Sequence, residues 1–381
     1  MNLNSNSVNC SRKRFLTLAA SFVIANSAFL FHDIFTSSTF ADAEIDCVNF
    51  VDDLGRNVVI PSAVSKVIPT GAPAQTLMTT LLPDSLASLA TDISEDKNDY
   101  EKADLKQIKE LPETGILTAG SGSDLEIGSV IETDHCITLD VGIPKTKLKI
   151  QLDTLQCQSP ISSVFIDLSF GNLPNVYRKL GKLFSCSERS EVLAQQAERA
   201  LALSASQQED LNQTLRIFYA PRKTGIELHE SVVIQIDAIK HVGAQPITSP
   251  YDWENMTVNI ESVIKENPDL IIFDDIEVLN SFAMRNGLAW EYWSNVGAIQ
   301  NGNYLVSPAL MHSWFGSLVF AQSIGLMWLS SMIQKNNCTY ALLAEVRSFY
   351  KIFYNLSKSD KELIFLLDNL NTQDVIDTEE L

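Results

Sequence analysis

Between Leu173 and Gln208 apolar residues recur at three- and four-residue spacings: Leu173, Val176, Leu180, Leu183, Phe184, Val192, Leu193, Ala197 and Leu201. Such spacing marks an amphipathic helix, with Ser185 to Ser190 as the place for a kink. This long helical segment is the strongest constraint on the fold, because the chain on either side of it follows one pattern. Before it, short apolar runs at Lys66–Pro69, Leu86–Ala90, Gly115–Thr118, Cys136–Asp140 and Val164–Leu168 alternate with helical stretches. After it, Arg216–Tyr219, Leu270–Phe273 and Tyr304–Val306 do the same, with helices over Ser231–His241, Val258–Glu266, Ser317–Ile333 and Thr339–Tyr354. Strands alternating with helices predict parallel sheets. The expected fold class is α/β: two lobes, each a parallel-type sheet flanked by helices, joined by a long rigid helix.

At 381 residues the chain is long enough for two such lobes, each with its own core. The expected division is an export signal over 1–43, a first lobe over 44–172, the connecting helix over 173–208 and a second lobe over 209–381. The signal is read from Arg12, Lys13 and Arg14, the apolar stretch Phe15 to Phe31, and Ala41-Asp42-Ala43. A positive region, an apolar region and an A-x-A site are the parts of a secretory signal. The string SRKRFL also resembles a twin-arginine signal, with Lys13 where the second arginine belongs. An uncleaved membrane tether is the alternative; Glu44, Ile45 and Asp46 before Cys47 make no lipobox. Cleavage after Ala43 leaves five cysteines, an odd number, and none stands in a C-x-x-C pair.

The net charge of -19 argues against nucleic acid, which needs a basic face, and against an anionic membrane surface. No G-x-S-x-G, H-E-x-x-H or P-loop lysine is present, so no enzyme is expected. The five histidines are scattered, which disfavours a receptor for bare metal ions.

Five segments, in order, resemble one family. They are VDDLGRNVVIPSAVSKVIPTGAP (51–73), DLEIGSVIETDHCITLD (124–140), NIESVIKENPDLIIFDD (259–275), WSNVGAIQNGNYLVSP (293–308) and FYKIFYNLS (349–357). Together they are similar to the periplasmic solute-binding proteins of iron–siderophore, haem and cobalamin ABC importers, the class III type with a helical backbone. The resemblance implies capture of an iron complex, siderophore or haem, between the lobes and delivery to an ABC permease. A corrinoid is the alternative ligand and a free metal ion a more distant one. It implies a monomer with no prosthetic group, and permease docking through Glu126 and Glu261, both early in a helix.

The candidate cleft residues lie at strand ends, where parallel sheets place their binding loops. In the first lobe they are Gly71, Ala72, Pro73, Ser121 of the AGSGS loop, and Ser169. In the second lobe they are Tyr219, Arg222 and His229, then His312, Trp314 and Phe315 of MHSWF. Arginine suits anionic groups, aromatic rings suit a flat macrocycle, and histidine or tyrosine can ligate iron. His135 and His241 read as structural. Gly316-Ser317-Leu318 stand where the family often carries an acid and prolines.

Overall fold

The computed structural model describes residues 46–93, 105–115, 135–158, 161–205, 214–229, 231–333 and 341–368. The expected signal, the AGSGS loop with Ser121, and Glu126 lie outside these residues.

The described chain begins with an antiparallel hairpin, β1 (Cys47–Val51) and β2 (Asn57–Pro61), turned at Gly55 with φ +69°. Then β3 (Lys66–Pro69), helix α1 (Ala72–Leu81), β4 (Cys136–Gly142), helix α2 (Thr146–Gln158) and β5 (Ser162–Asp167) form the first unit. The three strands β3, β4 and β5 pair in that order, all parallel. Val67, Ile137, Leu139, Val164 and Ile166 face the main core, while Ile68 and Cys136 turn to a smaller cluster with Ile161. Both faces are apolar because both are covered, as a parallel sheet requires. Arg56 fastens the hairpin to this sheet: its guanidinium grips Asp52 at 2.7 Å and donates to the Ser163 carbonyl at 2.7 Å.

The helical stretch expected as one connector is two helices, α3 (Leu173–Leu183) and α4 (Ser187–Ala205). Ser185 adopts φ 55° between them and reverses the chain. The helices then pack side by side. A Cβ on Gly181 would stand 1.9 Å from Ser190 Oγ, so only glycine allows that approach. Arg178 on α3 reaches both Glu191 and Glu198 on α4, which a straight helix would carry far away. Its guanidinium, with a bond from Gln195, pulls the Glu191 carboxyl down to about 2. The interruption at Ser185–Ser190 is therefore a hairpin turn rather than a kink.

The second unit runs β6 (Arg216–Ala220), α5 (Val232–His241), β7 (Gln245–Pro246), a small antiparallel pair β8 (Tyr251–Asp252) and β9 (Thr257–Val258), then α6 (Ile260–Glu266) and β10 (Leu270–Phe273). It continues through α7 (Glu277–Met284), α8 (Gly287–Trp293), α9 (Gly297–Gln300), β11 (Tyr304–Val306) and the short antiparallel pair β12 (Ala309–Leu310) and β13 (His312–Ser313). A parallel sheet of order β11-β10-β6-β7 lies at its centre. The described residues end in α10 (Ile324–Ile333), α11 (Leu342–Tyr354) and α12 (Asp360–Asp368).

One hydrophobic cluster runs from the first sheet through α4 to the second. Helix α11 returns to the first unit, where Phe353 meets Tyr177 at 6.0 Å between ring centroids. Arg189 on α4 ties the two together, donating to the carbonyls of Thr80 and Phe353. The protein is thus a mixed α/β chain with two parallel sheets flanked by helices. Among the described residues no helix is long and apolar enough to cross a membrane.

Candidate functional site

The strand ends of the two sheets meet. On the first, the chain leaves β3 at Thr70-Gly71 and enters α1, with Pro73 in its first turn, where the missing N–H costs nothing. Gly71 and Pro73 are half-buried and Ala72 is exposed. One turn further, Thr76 Oγ1 stands 3.4 Å from Nε2 of His312 on β13. Burial around that imidazole lowers its pKa to about 4, so it is neutral at physiological pH.

After β5 the chain turns through Asp167 to Ser169. The Ser169 hydroxyl and N–H both donate to Asp167 Oδ1, at 2.5 and 2.8 Å. Asp167 in turn donates its N–H to Asp53, which Lys179 also holds. Gln322 of the second unit closes on this turn. Its Oε1 accepts from Gly171 N–H at 2.8 Å and its Nε2 donates to the Leu168 carbonyl at 3.1 Å. Thus α1 and the β5–α3 turn face residues 312–322 directly.

On the second sheet, Tyr219 near the end of β6 donates its hydroxyl to Asp274 Oδ2 at 2.8 Å, just past β10. Burial dominates the Asp274 carboxyl and raises its pKa to about 6; the Tyr219 hydroxyl and the Arg222 N–H oppose that rise. Asp274 Oδ1 is buried without a hydrogen-bond partner. Gly316 borders it: a Cβ there would come within 2.8 Å of Asp274 Oδ2. Gln235, fully buried, donates to the Phe315 and Gly316 carbonyls and leaves its own Oε1 unpartnered. Two acceptors without donors therefore flank the Phe315–Gly316 backbone. A buried acceptor left unpaired costs roughly 1–3 kcal/mol, which a donor brought by a ligand would recover.

Arg222 is exposed on the loop after β6 and takes a left-handed φ of 62°. His229 on the same loop is half-buried, with Nδ1 2.6 Å from Ser231 Oγ. Burial first, then the Arg222 charge, lowers its pKa to about 4. Arg222 therefore lies beside the Tyr219–Asp274 pair, and its charge also reaches His229. Trp314 and Phe315, expected to line a cleft, do not: both are 0% exposed. Trp314 donates from Nε1 to the Tyr350 hydroxyl at 2.6 Å, and Phe315 packs edge-on to Tyr219 at 5.5 Å. These two rings are core, where their large apolar area is worth more than at a wet surface. Tyr219, also expected in the cleft, is itself 1% exposed, so its ring is core too and its hydroxyl is spent on Asp274.

Glu261 is exposed in the first turn of α6, whose Asn259 cap accepts from Ser262 N–H at 2.9 Å. Its position suits the helix dipole as well as a partner. Asp274, Gln235, Thr76 and Gln322 were not among the residues expected from sequence. Asp274 had one signal, an acid closing the apolar run LIIF. The two glutamines and Thr76 had none, being ordinary polar residues on apolar helical stretches.

No family model and no curated protein matches the sequence. Solved structures do. A solute-binding protein of an ABC transporter from Sulfurospirillum deleyianum superposes with a TM-score of 0.67 at 19% identity, over 84% of this chain and 99% of that one. The molybdate periplasmic binding protein MolA of Haemophilus influenzae gives 0.63 at 16%, over 82% and 99%. CeuE of Helicobacter pylori, in a nickel–histidine complex, gives 0.60 at 15%, over 84% and 99%. The chain has the fold of the periplasmic solute-binding proteins of ABC transporters. At these identities the likeness is one of fold, a two-lobed α/β architecture, and it agrees with the resemblance read from the five segments.

Proposed function

We propose that this chain is the extracytoplasmic substrate-binding component of an ABC importer, binding a metal-bearing complex between its lobes and passing it to a membrane permease. The observation that carries this reading is direct contact between segments that follow the strands of the two sheets: Thr76 stands 3.4 Å from His312, and Gln322 bonds both the Leu168 carbonyl and the Gly171 N–H. Crevices outside the carboxyl ends of parallel strands are where α/β folds take ligands. An iron complex, a siderophore or haem, fits the exposed guanidinium of Arg222 and the half-buried imidazoles; a corrinoid is the second choice. The neighbours' own ligands, molybdate for MolA and nickel–histidine for CeuE, are likewise small metal-containing species. Among the described residues no three His, Cys, Asp or Glu side chains converge, which favours a metal carried in a complex over a bare ion.

The test is a tryptophan-fluorescence titration with haem, a ferric siderophore and cobalamin, with bare Zn²⁺ and Ni²⁺ as controls. Saturable quenching by one of the three complexes is expected; response to the bare ions alone would overturn the reading. Docking is tested separately. Replacing Glu126 and Glu261 together with alanine should abolish uptake in cells and leave ligand affinity unchanged, whereas lost affinity would refute the docking role.

A further inference from the structure

One side chain of the second unit holds the turn through which the chain leaves the first sheet. That turn, Leu168 to Asn172, joins β5 to the α3–α4 hairpin. Gly171 within it adopts φ +81°, and a Cβ built there would meet nothing within 4 Å, so no described residue packs on it to stiffen it. The stiffness comes from Gln322, at the end of the short 3₁₀ turn Phe320–Gln322 before α10. Its Oε1 accepts from the Gly171 N–H at 2.8 Å. Its Nε2 donates to the Leu168 carbonyl at 3.1 Å and to the Leu318 carbonyl of its own loop at 3.3 Å. The reverse orientation of the amide would set its oxygen against two carbonyls, so the geometry admits one orientation.

One amide therefore engages the turn as a peptide unit would, and its second N–H anchors it to its own unit. Gln322 is 0% exposed, so no solvent stands by to replace these bonds if the turn moves away. Phe170 of the same turn packs on the His241 ring of α5 at 5.4 Å between centroids. His241 Nε2 in turn donates to the Leu201 carbonyl of α4 at 3.0 Å. The contact of Thr76 with His312, at 3.4 Å, is longer than an ordinary hydrogen bond and holds less.

We infer that Gln322 is a positioning residue for the proposed capture: it clamps this turn to the second unit and so fixes the opening of the cleft between the two sheets. The inference deepens the importer reading and takes its purpose from it. A cleft held at one width needs no closing step, which lowers the ordering cost of binding.

The experiment uses the full chain without ligand, so it can fail while the ligand titration succeeds, and the reverse. Gln322→Met keeps the length of the side chain and removes both bonds to the turn. Its radius of gyration by small-angle X-ray scattering should exceed that of wild type. Its Gly171 amide hydrogen should exchange about tenfold faster or more. Asn172→Ala is the control for plain loosening of the turn, because Asn172 Nδ2 donates to the Asp167 carbonyl inside the first unit, at 2.7 Å. It should lower the unfolding midpoint and leave the radius of gyration unchanged.

Gln322→Glu supplies a signature that a merely structural role would not show. Protonated, it has the shape of glutamine and its O–H can donate to the Leu168 carbonyl; ionised, it sets a bare oxygen against that carbonyl. Burial raises the pKa of such a carboxyl, so this variant should match wild type near about pH 5 and Gln322→Met near about pH 8. The titratable groups around the turn are Asp167, Asp53 and Lys179 in the first unit and His241 and His312 in the second. Wild type carries them all, so each pH is read as variant against wild type. A Gln322→Met chain as compact as wild type, an expanded Asn172→Ala chain, or a glutamate variant indifferent to pH would each overturn the inference. Should Gln322→Met not fold, the glutamate variant decides alone.

Discussion

Two carboxylates, a buried one in the first unit and a half-buried one in the second, are treated in opposite ways. Asp52 in the first is 4% exposed and surrounded by donors: the N–H groups of Leu54, Arg56 and Phe165, and the guanidinium of Arg56. Asp274 in the second has the Tyr219 hydroxyl and a backbone N–H, and one of its oxygens has no partner. The first arrangement fixes the β1–β2 hairpin to the sheet and leaves nothing over for a ligand. The second keeps acceptor capacity beside the loops where the two sheets meet. A fully paired buried ion resists removal of its partner, while an under-paired one is a liability that a ligand can relieve.

The largest effect should come from breaking the paired site. Arg56→Ala leaves the buried Asp52 carboxylate without its counter-charge and should cost about 3–5 kcal/mol in denaturant unfolding. A loss under 1 kcal/mol would show that Asp52 is held by its backbone donors alone, and the contrast with Asp274 would fail.

Asp274→Asn should behave differently. Folding raises the Asp274 pKa from 3.8 to about 6, so the folded state binds more protons than the unfolded one across that window. Wild-type stability from this group is therefore fully present below pH 3.8 and is lost as pH rises through 6. The asparagine variant has no such loss, and should gain on wild type by up to about 3 kcal/mol between pH 4 and 6. The comparison must be variant against wild type at each pH. Asp140, also buried and raised to about 6, slopes the same way, whereas His229 and His312, lowered to about 4, slope the other way. A constant difference across that range would mean that Asp274 is ionised in the folded state as easily as in water.

The smallest effect is expected at the surface pair that ties α4 to α11. Arg199 Nη2 meets Glu345 at 2.6 Å, with the arginine half exposed. Arg199→Ala should cost no more than about 1 kcal/mol, less at high salt. A larger loss in thermal unfolding would give this tie a share in holding the returning C-terminal helix.

Much of this organisation was legible in the chain. The apolar runs Lys66–Pro69, Arg216–Tyr219, Leu270–Phe273 and Tyr304–Val306 are strands to within a residue, because fully buried parallel strands read as unbroken apolar stretches. The helix over 173–208 was legible as helix but not as two. Its spacing is the same whether the chain bends or reverses at Ser185, and the reversal depends on Gly181 meeting Ser190. Arg222 and His229 could be placed beside the second strand end because they follow it closely. Trp314 and Phe315 could not be placed, since an aromatic pair after a strand serves a core or a cleft equally well until its packing partners are known.

Sequence by itself determined the long apolar strands and the parallel character of both sheets, though Leu86–Ala90, expected as a strand, makes only isolated bridges. These follow from local periodicity and from the burial that each segment needs. Tertiary structure alone decided that Trp314 and Phe315 are interior, that Gln322 and His312 touch the first unit, and that Asp274 carries an unpaired oxygen. Those facts depend on residues far apart in the chain, and no local pattern encodes the donors that a side chain will meet once the two sheets are packed together.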